Sequence, residues 1–210
     1  MKHPWEEISL TDYENHMRLD SVYQLQTLNT MMKDQLDSCD AESVMILGIA
    51  GGNGLEHIDK AKHKRVYGVD INKSYLNECS KRYPELTGHL TPICADLTDS
   101  RLSLPCAELL IANLLIEYIG YECFQAVVQQ VKPRFVSCII QVNTEASFVS
   151  DSPYLHAFDR LSEVHHQMDE NQLVSAMQSI GYTKTRSLAQ GLPNGKQLLR
   201  VDFIHFASSC

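Results

Sequence analysis

A chain of 210 residues with 44% hydrophobic and 21% charged residues has the size and make-up of one soluble globular domain, long enough to bury about 70% of the surface it exposes when unfolded. The net charge of −8, without any run of Lys or Arg, excludes general binding to nucleic acid or to anionic membranes, because neutralising phosphates takes clustered cations. Seven cysteines without a Cys-x-x-Cys pair predict reduced thiols, mostly buried, in a cytoplasmic protein.

Residues 1–40 read as an N-terminal helical cap and residues 41–210 as the main domain. The first seven residues lack the apolar core of a signal peptide. Thr11-x-x-Glu14 has the form of a capping box opening a short helix through about Arg18. Ser21-x-x-Gln24 looks like a second, with Val22, Leu25, Leu28, Met32 and Leu36 on one face of the helix that follows. From Val44 strands and helices alternate. Strand one covers about 44–49 and a helix about 54–61; strand two covers about 65–70, and its helix starts at the Asn72 cap and stops at Pro84. Strands three and four cover about 90–95 and 108–113. Ile119, Cys123, Val127 and Val131 then repeat at i+4 in a helix that ends before Pro133, and strand five covers about 135–142. The longest apolar run, Leu109 to Ile116, is broken by Asn113 and too short to span a bilayer.

Residues 144–168 read as an irregular insertion, equally a substrate lid or a solvated connector. The pair His165-His166 inside it has no companion at metal-ligand spacing and reads as solvated, so no metal is expected. Asp169 caps a helix through Leu173, Met177 and Ile180 that Gly181 ends. Two last strands, about 183–189 and 197–206, are joined through Asn194-Gly195, a hairpin signal. The sum is a doubly wound, seven-stranded α/β sheet, mostly parallel with an antiparallel last strand, and helices on both faces.

The chain is organised around Ser43 to His57, where an apolar strand runs into Gly48, Gly51, Gly52 and Gly54. A strand that feeds a glycine loop makes a pocket of backbone donors and lets a ligand approach the main chain closely. Asp70 follows Gly48 by 22 positions, at the end of strand two, where a carboxylate is placed to bind ribose hydroxyls. Gly48, Asp70, Asp96, Asn113 and Asn143 all fall at strand C-terminal ends, where the ligand crevice of such a sheet lies. The loop lacks the Lys-Ser/Thr of a phosphate-binding P-loop. It also lacks a glycine at position 53, and Glu56 sits where a dinucleotide's diphosphate would need positive potential.

A ligand without phosphate and with positive charge fits better. Here the chain resembles the class I S-adenosylmethionine-dependent methyltransferases, whose Gly-x-Gly-x-Gly is matched by Gly48, Ala50 and Gly52. Ala50 departs from the middle glycine, and Ile46 stands where the family often carries an acid that orders the loop. The resemblance spans about residues 40–206. It implies S-adenosyl-L-methionine as cofactor, with Asp70 on the ribose, Ile71 against the adenine, Asp96 and Leu97 holding the adenine, and Asn113 near the same cleft. It also implies that the N-terminal helices lie over the cofactor, with Tyr13, His16 and Met17 as candidate lining.

In-line methyl transfer asks the protein to align a nucleophile, exclude water and in some cases remove a proton. Asn113-Leu114-Leu115-Ile116-Glu117-Tyr118 lacks the Asn-Pro-Pro-Tyr of enzymes that methylate bases. Pro105-Cys106 lies at the wrong end of strand four for a nucleophile, and Cys106 reads as a structural thiol. The acceptor is expected to be a small molecule, with Glu117 as base or anchor and Tyr118 and His16 behind it; a homodimer is compatible with the sequence. The alternatives are a nicotinamide-dependent oxidoreductase, disfavoured by the missing third loop glycine and the lack of a separate substrate domain, and a non-catalytic S-adenosylmethionine-binding module, kept open by Ile46 and Ala50.

Overall fold

The structure is a computed structural model that describes residues 2–142 and 148–206; Asn143 and residues 144–147 of the insertion lie outside it. Seven strands form one sheet: β1 (Ser43–Leu47), β2 (Arg65–Asp70), β3 (Leu90–Cys94), β4 (Leu109–Asn113), β5 (Phe135–Val142), β6 (Tyr182–Gly191) and β7 (Gln197–His205). Their order is β3-β2-β1-β4-β5-β7-β6. All pairings are parallel except those of β7, which is antiparallel to both β5 and β6. The order reverses between β1 and β4, which opens a crevice beyond their C-terminal ends.

The helices are α1 (Leu10–Arg18), α2 (Gln24–Asp37), α3 (Lys73–Arg82), α4 (Ile116–Val131) and α5 (Glu170–Ser179). Alternation along the strands divides the core between two faces. Met45 and Leu47 join Leu110, Ala112 and Cys138 under α4 and α5, through Phe124, Val128, Leu173 and Met177. Val44 and Ile46 join Val66 and Ile111 under α2 and α3, through Met32, Leu36, Leu76 and Cys79. Asn72 caps α3 and Asp169 caps α5 as the sequence predicts.

Three local expectations fail for identifiable reasons. The cap of α1 is Ser9, whose hydroxyl accepts from the Asp12 N–H, not Thr11. The helix after Ser21 is entered through Tyr23 in a left-handed conformation, and Ser21 caps nothing. No α-helix covers 54–61: only a 3-10 turn, Leu55–His57, forms there. The sheet face that a helix would cover is already occupied by Met32 and Leu36 of α2, and the ideal Cβ position of Gly54 would lie 2.9 Å from Met32. The thiols also depart from expectation, because Cys94 and Cys106 are exposed. Among the described residues no helix is long and apolar enough to cross a membrane.

Candidate active site

The loop after β1 turns sharply, with Gly48 at φ +68° and Ala50 at φ +47°. A left-handed alanine costs of order 1 kcal/mol or more and persists only where its surroundings hold it. The Ala50 N–H donates to Asp70 Oδ2 at 2.9 Å, and the Asn72 N–H donates to Asp70 Oδ1 at 2.8 Å. The glycine loop and the carboxylate at the tip of β2 therefore face each other. Burial pushes the Asp70 carboxyl up, against the opposing pull of these backbone donors. Ile46 packs in the α2–α3 core, so the acid usual at that position has no counterpart here. Asp70 orders the loop instead, helped by the Glu14–Arg82 ion pair that bridges α1 to α3 over Gly51.

Gly52 departs from the expected role. It lies away from the cleft at φ +88°, where an added Cβ would come within 2.8 Å of Tyr83 and 2.9 Å of Cys79. Its smallness docks the loop on α3. Gly52→Ala is expected to lower stability by about 1–3 kcal/mol through strain and overpacking, read from the midpoint of chemical denaturation.

A cleft of about 690 Å³ opens at the switch point. Its walls bring together Gly48 and Ala50 from the first loop, Asp70 and Ile71 from β2, Asp96 and Leu97 after β3, and Asn113 from β4. Asp96 sits on the rim, where Oδ1 accepts from the Thr98 N–H and hydroxyl. The Asn113 carboxamide exchanges two hydrogen bonds of 2.9 Å with Gln35 of α2, so it shapes the wall rather than offering that amide to a ligand. Trp5 and Tyr13 of the N-terminal segment close the cleft against Tyr75 of α3. Asn72 Nδ2 and the Tyr75 hydroxyl tie this segment down by donating to the carbonyls of Trp5 and Ile8, each at 2.9 Å. Of the candidate cap residues Tyr13 lines this cleft, whereas His16 and Met17 line the neighbouring one.

That second cavity, about 520 Å³, adjoins the first and shares Trp5, Tyr13, Leu114 and Tyr118 with it. Glu117, in the first turn of α4, is only 3% exposed. Its Oε1 accepts from the Gln141 N–H at 2.7 Å, while Oε2 is buried without a partner among the described residues. Burial raises its carboxyl from the usual 4.5 to about 7, against the pull of the backbone bonds. α4 is broken at Gly120 (φ +73°, ψ 168°), so the turn bearing Glu117 and Tyr118 is set apart from the rest of the helix. The His16 ring shares a 2.8 Å hydrogen bond with the Ser152 hydroxyl, and its pKa falls to about 4 through burial and then the nearby Lys196 charge. The ring is therefore neutral at physiological pH. Burial, first, and the Glu117 charge push the Tyr118 hydroxyl far up. Glu117, His16 and Tyr118 thus share one cavity.

The insertion supplies the rest of this wall. A 3-10 helix, Leu155–Glu163, buries Phe158 and Leu161 against Ile8. His165, read from the sequence as solvated, is half-buried and stacks on Phe148 at 3.9 Å between ring centres. No local pattern marks Trp5, Phe148, Phe158 or His165, since the insertion has no regular period and Trp5 joins it from the N-terminus. The Gly54 N–H, a donor that a diphosphate would need, is taken by Glu56 Oε2 at 3.1 Å. Cys106 lies in a groove at the opposite end of the sheet.

This strand order with an antiparallel seventh strand is the Rossmann-like fold of the class I S-adenosylmethionine-dependent methyltransferases. No protein-family model matches the chain, and no curated protein matches it. Among solved structures, it is similar to the N-methyltransferase NodS from Bradyrhizobium japonicum WM9, in complex with S-adenosyl-L-homocysteine, with a TM-score of 0.66 and 12% identity over 93% of this chain and 99% of that one. It is similar also to the methyltransferase domain of bacterial CtHen1-C, with a TM-score of 0.61 and 24% identity over 92% and 99%. The [4+2]-cyclase SpnF shares the fold at a TM-score of 0.65 and 8% identity, over 87% and 82%. The fold therefore houses more than one chemistry, and function has to be argued from the site.

Proposed function

We propose that the protein binds S-adenosyl-L-methionine in the larger cleft and transfers its methyl group to a small molecule held in the adjoining cavity. The observation that carries this reading is the bond between Ala50 and Asp70, which sets the glycine loop and the ribose-binding carboxylate around one space. When bound, S-adenosylmethionine supplies a methyl group already activated by the adjacent sulfonium charge. Asp70 takes the ribose hydroxyls, Ile71, Asp96 and Leu97 hold the adenine, and Gly48 and Ala50 admit the methionine portion. Trp5 and Tyr118 exclude water at the junction of the two cavities. Glu117 anchors the acceptor and takes its proton at Oε2, and His16 and Tyr118 complete the acceptor wall. Residues 1–40 act as the cap over both cavities, on a domain of residues 41–210.

Calorimetry with S-adenosylmethionine, S-adenosylhomocysteine and NAD, side by side, tests the reading. Binding of the first two and not of NAD is expected. Binding of NAD alone would overturn the reading in favour of an oxidoreductase, although the engaged Gly54 N–H argues against that outcome.

A further inference from the structure

From the second cavity we infer the class of acceptor: a compact primary or secondary amine carried on an aromatic or apolar body. The inference rests on the methyl-transfer reading above, and its support comes from the walls of the acceptor cavity. Glu117 lines the cavity, and its Oε2 is a buried acceptor atom without a partner among the described residues, so a donor brought in through the cavity would satisfy it. An unpaired buried carboxylate is costly, and an ammonium group satisfies it with both charge and N–H. The surrounding rings are Trp5, Tyr13, Tyr118, Phe148, Phe158 and His165. Aromatic faces attract a cation through their quadrupole, which favours both an entering ammonium and a methylated ammonium product.

Other acceptors fare worse against the same walls. Neither Lys nor Arg lines either cavity among the described residues. Lys196, whose charge reaches His16, donates to the Phe148 carbonyl at 2.7 Å. A phenolate or carboxylate would thus meet Glu117 with no cation in the cavity wall to pair with, since the neutral His16 provides none and Lys196 acts only from behind it. With the amine, the chemistry balances. The ammonium gives one proton to Glu117 Oε2, a carboxyl already disposed by burial to hold it near neutral pH. The freed lone pair on nitrogen attacks the methyl carbon. A C–N bond forms, the C–S bond breaks, and its electron pair stays on sulfur, leaving a neutral thioether and an N-methylammonium product.

The test uses the full chain saturated with S-adenosylhomocysteine and titrated calorimetrically with benzylamine, phenethylamine and cyclohexylmethylamine, each beside its alcohol and carboxylic acid counterparts. At least one amine is expected to bind 10-fold or more tightly than its alcohol, and the acids not to bind. With S-adenosylmethionine present, that amine should gain a methyl group by mass spectrometry. Glu117→Gln should remove the preference while S-adenosylhomocysteine affinity stays within about twofold. An alcohol or acid bound as tightly as the amine, or no amine bound by protein that does bind S-adenosylhomocysteine, would overturn the inference. If S-adenosylhomocysteine itself fails to bind, the cofactor reading falls. The acceptor class is then judged by the same titrations on cofactor-free protein, where the Glu117 cavity is unchanged. Should Glu117→Gln fold poorly, the wild-type ranking alone decides.

Discussion

Glu117→Gln is expected to lower kcat for methyl transfer by about 10²–10⁴-fold, the usual worth of a positioned general base, and to make the folded protein more stable in alkali. Both effects follow from one fact, that a carboxyl with an oxygen unpartnered among the described residues is buried at the start of α4. The folded-state pKa of about 7 lies above the unfolded value of about 4.5. Below pH 4.5 both states hold the proton, and burial carries no ionisation cost. Between 4.5 and 7 the unfolded chain ionises while the folded chain resists, so stability drains away as pH rises. Above 7 the loss levels off at about 3 kcal/mol. Glutamine never ionises and still accepts from the Gln141 N–H. The melting temperature of the variant should therefore exceed that of the wild type most at pH 8 and least near pH 5. An equal gap at the two pH values would contradict the assignment. In the wild type kcat/KM should rise with pH through about 7. His16, His165, Tyr13 and Tyr118 line the same cavity, with the Lys196 charge nearby: burial lowers both imidazoles, His16 to about 4, and raises both phenols far above that limb.

Asp70→Ala is expected to weaken S-adenosylmethionine binding by about 1–3 kcal/mol, roughly 5- to 150-fold in the dissociation constant, because buried hydroxyls lose a charged acceptor. Alanine also abandons the Ala50 and Asn72 N–H groups, so part of the loss reflects a loosened loop. Asp70→Asn separates the two, since its carboxamide retains one acceptor oxygen for the loop but no charge. An unchanged dissociation constant for Asp70→Ala, measured by calorimetry, would remove the carboxylate from the cofactor site.

The strands were legible because a parallel sheet buried on both faces needs continuous apolar runs such as 44–47 and 109–112, which few other elements would use. Asp70 was legible because spacing from the first loop glycine fixes where strand two ends. Gly52 misled because a glycine in a motif says only that a side chain is unwelcome, and here the obstacle is Tyr83 and Cys79 rather than a ligand. The segment 54–61 misled for a tertiary reason. Leu55 and Ile58 have helical spacing, yet α2 occupies the share of the sheet that a helix there would cover. The acceptor cavity was the least legible part. Glu117 could be singled out by its place after strand four, but Trp5 reaches it from the N-terminus and Phe148, Phe158 and His165 from the irregular insertion, and none carries a pattern of its own.

The helix that roofs β1 on its α3 side comes from upstream of the sheet rather than from the β1–β2 connection. The first 40 residues are thus structural masonry as well as a cover: Met32 and Leu36 are built into the main core. A truncation starting at Ala41 would strip one flank of the central strands to solvent, and the shortened chain should accumulate as aggregate rather than as an uncapped enzyme with a wider mouth.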